Sequence, residues 1–122
     1  MDTVYPTSIF QTPAFELWLH GIKDPVSRIR IARRLERFAS GSPGDIQHLD
    51  GSLFELREHF GAGWRLYCLR VSQSHWVFVH GGTKRSQKRD IEMLRRNIAD
   101  LAHSAANLIM NIGFEGFDDA QA

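Results

Sequence analysis

The sequence predicts an α+β fold, in which one strand and two helices precede three strands and a C-terminal helix (β-α-α-β-β-β, then α). Two cap-then-proline pairs indicate helix starts, three short strand-like runs indicate a sheet, and a long apolar periodicity indicates the last helix. At 122 residues and 43% hydrophobic content, the chain is long enough for one core and too short for two. We therefore expect a single domain over residues 1–112 and a loosely ordered acidic tail over residues 113–122.

The N-terminal region is predicted to form a strand followed by a short helix. Val4 to Gln11 carries β-branched and aromatic residues that suit a strand. Thr12 then provides an N-cap, and Pro13 suits the first helical position. This helix should run to about His20 and stop at Gly21.

The second predicted helix begins at the same kind of signal, Asp24 followed by Pro25, and ends near Ser40 and Gly41. Apolar residues recur along it at helical spacing: Val26, Ile29, Ala32, Leu35, Phe38 and Ala39. Its opposite side carries four arginines spaced i, i+3, i+4 and i+7, here called the arginine row: Arg30, Arg33, Arg34 and Arg37. Such a row is either a solvated helix face or a docking face for a protein partner or RNA.

Residues 42–51 are rich in Gly, Pro and Asp and are expected to form a loop. Three strand-length runs follow this loop: Ser52 to Phe60, Trp64 to Val71 and His75 to His80. The short links between the runs favour an antiparallel meander. Alternation along the first two strands allows Arg57 and Arg65 to share one face if the register between the strands permits it. If helices pack on the other face, this polar face offers a platform for a phosphodiester.

A last helix is predicted from Ser86, ending before Gly113. Its apolar stripe alternates steps of three and four residues: Ile91, Leu94, Ile98, Leu101, Ala105 and Leu108. We expect this stripe to pack on the sheet or on another copy of the chain, so the helix is a candidate for oligomer formation.

Basic charge is concentrated in the middle of the chain. All fifteen Lys and Arg residues lie between Lys23 and Arg96, although the formal net charge of the chain is only +1. From residue 57 to residue 96 there are nine basic and three acidic residues, which leaves a local charge of +6. Phosphate is the natural partner of such a surface, and we expect Arg70, Lys88 and Arg89 to contact an RNA backbone.

Composition disfavours several functional classes. The single cysteine, Cys68, cannot form an intramolecular disulfide, and the six histidines show no metal-ligand spacing, so neither a metal site nor a cofactor is predicted. No apolar run approaches the roughly 20 residues that span a bilayer, and no secretory signal is recognisable. We expect a cytoplasmic protein without a membrane partner.

Five segments together resemble the RelE/ParE superfamily of type II toxin-antitoxin toxins: TPAFELWLHGIKD, RIRIARRLERFASGSPGD, HLDGSLFELR, GAGWRLY and HGGTKRSQKRDI. The resemblance spans about Ser8 to Asn97 and is greatest to the HigB-like branch of phage-derived addiction-module killer proteins. None of these segments alone is specific for the superfamily, whereas their order and spacing along the chain make the resemblance strong. The resemblance implies a RelE-like fold, with a small, mostly antiparallel sheet on which two N-terminal helices pack. It also implies cleavage of messenger RNA, commonly in the ribosomal decoding site, and a cognate antitoxin protein as partner.

The resemblance further implies roles for individual residues. Arg65 matches the strand arginine that is placed against the scissile phosphate, and Lys84 with Arg85 matches the basic pair after the next strand. Arg57 matches the arginine that closes the Glu-Leu-Arg strand. Several relatives carry a tyrosine or histidine for proton transfer near the start of the C-terminal segment, but the residues around Ile91 include neither.

Cutting RNA without a metal needs a base for the 2′-hydroxyl, a cation for the phosphorane and a donor for the leaving 5′-oxygen. Arginine suits the second role because its planar fork bonds phosphate oxygens in pairs and keeps its charge. Four residues are candidates for the base: Glu58, His59, Tyr67 and His80. Alternation favours His59, because it places this residue on the face of Arg57. The antitoxin is expected to contact the arginine row or the cleft around Arg65.

Three functions are compatible with these residues. The first is a metal-independent endoribonuclease toxin that arrests translation and is held silent by its antitoxin. The second is a ParE-like inhibitor of gyrase that cuts no RNA. The third is a basic module without catalysis that binds nucleic acid or the antitoxin. The presence of Arg65, Lys84 and Arg85 favours the first function.

Overall fold

The computed structural model describes the backbone of residues 7–121 and the side chains of residues 7–111. The elements in chain order are β1 (Ser8–Gln11), α1 (Pro13–His20), α2 (Pro25–Ala39), β2 (Ile46–Asp50), β3 (Leu53–Arg57), β4 (Trp64–Ser72), β5 (His75–Thr83), α3 (Gln87–Arg96) and α4 (Ile98–Gln121).

The five strands form one mixed sheet in the order β1-β5-β4-β3-β2. β1 runs parallel to β5, while the other three neighbouring pairs are antiparallel. The α+β class is therefore confirmed, and so is the predicted meander, which comprises β3, β4 and β5. The predicted first strand is present from Ser8, and residues 4–6 lie outside the described residues.

Both N-terminal helices have the bounds that the sequence predicts. Thr12 Oγ1 accepts a hydrogen bond from the Phe15 backbone N–H at 3.1 Å, and Asp24 Oδ1 accepts one from the Val26 N–H at 3.1 Å. A proline follows each cap at the start of the helix. These caps satisfy backbone donors that a helix start otherwise leaves unpaired.

The structure adds a strand that the sequence pattern does not reveal. The loop expected over residues 42–51 is wrong in its second half, because β2 pairs there with β3. β2 lies at the edge of the sheet, where only Ile46 and Leu49 are partly buried. An edge strand has one paired neighbour and can be mostly polar, so its apolar periodicity is weak.

Helices α1 and α2 cover one face of the sheet. The core between these layers contains Phe15, Leu19, Ile22, Ile31, Leu35, Phe38, Leu56, Leu66, Cys68, Trp76 and Phe78. Burial raises the pKa of the Cys68 thiol above its usual range. A protonated, fully buried cysteine behaves as a small apolar residue, so Cys68 contributes packing to this core.

Helices α3 and α4 cover the opposite face, so the expectation of an open polar platform on that face is wrong. A second core lies there and contains Leu53, Tyr67, Leu69, Val77, Val79, Leu94 and Ala105. Further members of the predicted apolar stripe pack against it: Ile91, Ile98, Leu101 and Leu108. The stripe therefore packs on the chain's own sheet and is not a free surface for a second copy.

The predicted last helix is divided in two. Asn97 lies between α3 and α4, and its Nδ2 donates to the Met93 carbonyl at 2.8 Å. A side chain that bonds the backbone in this way competes with continuation of a helix. α4 continues to Gln121, so the expected end before Gly113 is wrong; a glycine costs a helix about 1 kcal/mol without ending it. The side chains of the acidic tail, residues 113–122, lie outside the described residues.

Candidate functional site

Arg57 and Arg65 lie directly opposite each other on β3 and β4. Residues paired across neighbouring strands project to the same face, so the prediction that these two arginines share a face is confirmed. Like charges in this position repel unless an anion lies beside them. Glu55, two residues before Arg57 on the same strand, supplies that anion.

Glu55 is a fully buried carboxylate that the sequence pattern left unassigned. Its Oε1 accepts a hydrogen bond from Arg57 Nε at 2.8 Å, and its Oε2 accepts one from Gln87 Nε2 at 2.9 Å. The hydrogen bond to Glu55 raises the pKa of Arg57, whose side chain remains 35% exposed. Glu55 therefore holds Arg57 at the sheet surface and ties α3 to β3. The available sequence signal was an acid two residues before an arginine on one strand face.

Arg65 is only 5% exposed, and much of its guanidinium is used within the fold. Its Nη1 lies 3.1, 3.1 and 3.2 Å from the carbonyl oxygens of Glu58, Gly63 and Trp64, to which it donates. Its Nε is buried and has no hydrogen-bond partner among the described residues. Arg65 therefore also fastens the turn between β3 and β4.

Lys84 and Arg85 follow the end of β5 and are exposed. The Lys84 N–H donates to the Ala62 carbonyl at 3.4 Å. A side chain added at Gly63 would lie 3.0 Å from Lys84 Cβ and 3.7 Å from Arg65 Nη1, so the basic pair adjoins the turn that Arg65 fastens. Four residues thus come together at this end of the sheet and are here called the cationic edge: Arg57, Arg65, Lys84 and Arg85.

The three residues expected to contact an RNA backbone are not all placed together. Lys88 and Arg89 are exposed on the first turn of α3, directly after the cationic edge. Arg70 lies toward the other end of β4, about 17 Å along the strand from Arg65. Its guanidinium donates to the carbonyls of Ser72 and Gln73, so Arg70 does not join the cationic edge.

The Gly-Gly pair at residues 81 and 82 lets helices approach β5 closely on both faces. A side chain at Gly81 would collide with the Trp18 ring, and one at Gly82 would collide with the Asp90 carboxylate. The Ser86 hydroxyl donates to Asp90 Oδ2 at 2.6 Å. α3 therefore starts against the sheet, with the Asp90 carboxylate held over β5.

A β-bulge in β5 turns His80 toward α3. Tyr67 pairs with His80 while Cys68 pairs with Phe78, which leaves one extra residue on β5. The bulge places His80 beside Tyr67, with ring centroids 5.8 Å apart, and His80 Nε2 lies 3.1 Å from Asp90 Oδ1. Strict alternation would place His80 with Phe78 on the opposite face, so the sequence alone does not reveal this position.

Two of the other base candidates are committed elsewhere. Burial, together with the charge of Glu55, raises the pKa of Tyr67 above its usual range, so its hydroxyl keeps its proton and is a poor base. Glu58 lies 3.3 Å from Arg34 Nη1 in an ion pair. Neither side chain is therefore suited to accept a proton from a 2′-hydroxyl.

His59 lies at the β2 side of the sheet. Because β3 ends at Arg57, strand alternation does not set the direction of the His59 side chain. Its Nε2 instead lies 2.7 Å from Asp45 Oδ2, and the side chain is 68% exposed. Hydrogen bonds from Gln47 and His59 lower the pKa of Asp45 below its usual range.

The arginine row is not a uniform exposed face. Arg34 is 3% exposed and donates to the carbonyls of Pro43, Asp45 and Arg57. Arg30 is exposed, with its guanidinium carbon 3.8 Å from the centroid of the Phe60 ring. The prediction of four surface arginines is therefore wrong for Arg34, and three remain at the surface: Arg30, Arg33 and Arg37.

The part of the chain that the structure describes lacks two other kinds of feature. Among these residues, no group of three or more His, Cys, Asp or Glu side chains is placed to hold a metal ion. None of the described helices combines the length and the apolar content that crossing a bilayer requires.

Comparison with known proteins identifies a relative of this chain. No protein-family model matches the sequence. The chain is 31% identical to an uncharacterized protein from Haemophilus influenzae over 84 residues, which cover 69% of this chain and 85% of that protein. At this identity and coverage, the chain belongs to the same protein family as the uncharacterized Haemophilus influenzae protein.

Proposed function

We propose that this protein is the toxin of a type II toxin-antitoxin system, a RelE-like endoribonuclease that cuts messenger RNA in the cytoplasm, on the ribosome, and so arrests translation. The observation that carries the proposal is the cationic edge, where Arg57 and Arg65 face each other on adjacent strands and Lys84 adjoins the same turn. The motifs that resemble RelE/ParE toxins contribute these same residues.

The cationic edge suits a phosphodiester in its transition state. Attack of a 2′-hydroxyl on phosphorus produces a dianionic phosphorane, which nearby fixed cations stabilise more than the monoanionic substrate. Arg57 keeps part of its side chain exposed while Glu55 orients it, and Lys84 is exposed beside the same turn. Cations that are held in place beforehand lower the barrier because their charge already lies where negative charge develops on the phosphorane.

A second function is favoured by the internal bonds of Arg65. Because its Nη1 is engaged with three backbone carbonyls, the cationic edge could bind RNA without cutting it. Such a module would act as a nucleic-acid-binding component of the same toxin-antitoxin system. Like a gyrase inhibitor, it would leave RNA intact. The two functions differ in whether new RNA ends appear.

The test is brief induction of the protein followed by growth measurement and primer extension on abundant messenger RNAs. We expect growth arrest within minutes and new 5′ ends inside coding regions. The double variant Lys84→Ala/Arg85→Ala should weaken both effects, because it removes the exposed half of the cationic edge. Lys23→Ala, an exposed lysine before α2, serves as the control. Arrest without new RNA ends would favour the non-cutting alternatives.

We predict that cleavage does not require a divalent cation in the chemical step. In the proposed reaction Arg57 and Lys84 supply the positive charge that a metal ion supplies in metal-dependent nucleases. Purified protein should therefore cut a single-stranded RNA, or messenger RNA on chemically cross-linked ribosomes, in excess chelator at an undiminished rate. The products should end in a 2′,3′-cyclic or 3′-phosphate. Strict dependence on magnesium with 3′-hydroxyl ends would contradict this mechanism.

We propose that the antitoxin docks on the exposed side of α2. Arg33 and Arg37 are exposed there, and Val26 and Ile29 are large apolar residues left at the surface of the same helix. A segment with acidic and apolar residues would match this surface.

Reversal of the two charges, Arg33→Glu with Arg37→Glu, should therefore weaken antitoxin binding about 10-fold or more. The attraction that this variant removes should be smaller at high salt, so its defect should shrink from 50 to 500 mM NaCl. Isothermal titration at the two salt concentrations checks the expectation, and toxicity of the free variant should persist. Unchanged affinity would place the interface elsewhere.

A further inference from the structure

We propose that His80 is the proton-transfer residue of the cleavage reaction and that Asp90 is its positioning residue. This inference rests on the proposed function and extends it, because the expected position around Ile91 carries neither a tyrosine nor a histidine. The missing group would be supplied by β5 instead of the C-terminal segment.

Three features of the fold bring His80 to the site. The bulge in β5 turns its ring to the face that carries Arg65, and the ring stays partly open, with 31% of the side chain exposed. His80 pairs with Tyr67, which lies two residues from Arg65 on β4, so His80 and Arg65 are diagonal neighbours with Cβ atoms about 7 Å apart. A scissile phosphate held by Arg65 would lie within reach of the imidazole.

The Asp90 carboxylate is arranged to orient the imidazole. It is buried, its Oδ2 accepts the Ser86 hydroxyl, and its Oδ1 lies 3.1 Å from His80 Nε2. These two atoms lie within ion-pair distance, but their geometry is not that of a hydrogen bond. Catalytic pairs often reach hydrogen-bond alignment only when substrate binds. A carboxylate on this side favours the tautomer that carries the proton on Nε2, which leaves Nδ1 as the acceptor. Gly82 makes the arrangement possible, since any side chain there would displace the carboxylate.

Side chains of this protein can supply both the proton acceptor and the proton donor that the cleavage reaction needs. Nδ1 of His80 takes the proton from the ribose 2′-hydroxyl, and the 2′-oxygen forms a bond to phosphorus. The bond between phosphorus and the 5′-oxygen breaks, which leaves a 2′,3′-cyclic phosphate. The 5′-oxygen takes a proton from the Lys84 ammonium, and solvent then returns Lys84 and His80 to their starting protonation states.

Other charged and titratable groups also border the imidazole. Asp90 approaches it from α3, Tyr67 and Arg65 belong to β4, and Glu55 belongs to β3. Glu55 is hydrogen-bonded to Arg57 and Gln87, and the raised pKa of Tyr67 means that its hydroxyl retains its proton. A rate that depends on pH in the wild-type protein and loses that dependence in His80→Gln would identify His80 as the group responsible.

The test compares single-turnover cleavage of messenger RNA on ribosomes by the wild-type protein and variants between pH 5 and 9. His80→Gln should lose at least about 100-fold in rate and lose the rise between pH 5 and 8. Asp90→Asn should lose about 10-fold but keep a rise with pH. Added imidazole should restore part of the rate of His80→Ala. His103→Gln, an exposed histidine on α4, should match the wild-type protein.

Binding measurements separate catalysis from folding. RNA that carries a 2′-deoxy nucleotide at the cut site cannot react, so His80→Gln should bind it with wild-type affinity. If the wild-type protein cuts RNA and His80→Gln cuts equally fast with the same pH profile, the role of His80 is overturned and the proposed function stands. If the wild-type protein binds RNA on ribosomes but never cuts it, the proposed function itself is overturned and this inference with it.

Discussion

Replacement of Arg65 by alanine is expected to relieve growth arrest and to slow RNA cleavage about 100- to 1000-fold, the usual effect of removing a preorganised donor to a developing anion. The same change should also destabilise the domain. Nη1 of Arg65 donates to the carbonyls of Glu58, Gly63 and Trp64, and their loss should cost about 1–3 kcal/mol. Single-turnover rates and urea unfolding, measured on the same preparation, check both parts.

A matched control separates the contribution of Arg65 to cleavage from its contribution to stability. Arg28→Ala removes an arginine whose Nη1 likewise donates to a backbone carbonyl, that of Ile22, but which is not one of the four residues of the cationic edge. It should lower stability slightly and leave the cleavage rate unchanged. The rate of Arg65→Ala is compared well below its unfolding midpoint, where the variant is folded. Wild-type cleavage by folded Arg65→Ala would exclude Arg65 from catalysis.

Replacement of Arg34 by alanine is expected to lower the free energy of unfolding by about 3–5 kcal/mol, the range for breaking a buried ion pair. Arg34 connects α2 with the segment before β2 and with the end of β3, through the carbonyls of Pro43, Asp45 and Arg57. Its loss leaves three carbonyls short of a donor and Glu58 without its cation. Urea denaturation with a two-state fit measures the change.

Arg33→Ala is the control for this prediction. Arg33 is the neighbouring residue on α2 and is exposed, so its replacement should change the free energy of unfolding by no more than about 0.5 kcal/mol. A small effect of Arg34→Ala, similar to that of Arg33→Ala, would show that the buried guanidinium is dispensable to the fold.

Much of the fold could be predicted because its signals are local. The caps Thr12 and Asp24, each followed by proline, locate α1 and α2, since capping is decided within three residues. The period-two pattern likewise assigns Arg57 and Arg65 each to one side of its own strand, while the register between β3 and β4 places them opposite each other. The sequence does not indicate the strand β2, because an edge strand is mostly polar. It does not indicate the break at Asn97 either, because a single asparagine does not interrupt the apolar stripe.

In the candidate site, too, some features follow from local sequence and others depend on tertiary structure. The sequence by itself determined which cations are present and which residues alternate to the same side within each strand, because composition and alternation are properties of the chain and of single strands. That Arg57 and Arg65 share a face was decided by the register between β3 and β4. Only the tertiary structure decided that Arg34 and Arg65 are buried, that Glu55 and Gln87 hold Arg57, and that His80 meets Asp90. These outcomes depend on which strands pair, on one bulged residue and on how closely α3 approaches Gly82, and none of these is encoded in a short stretch of sequence.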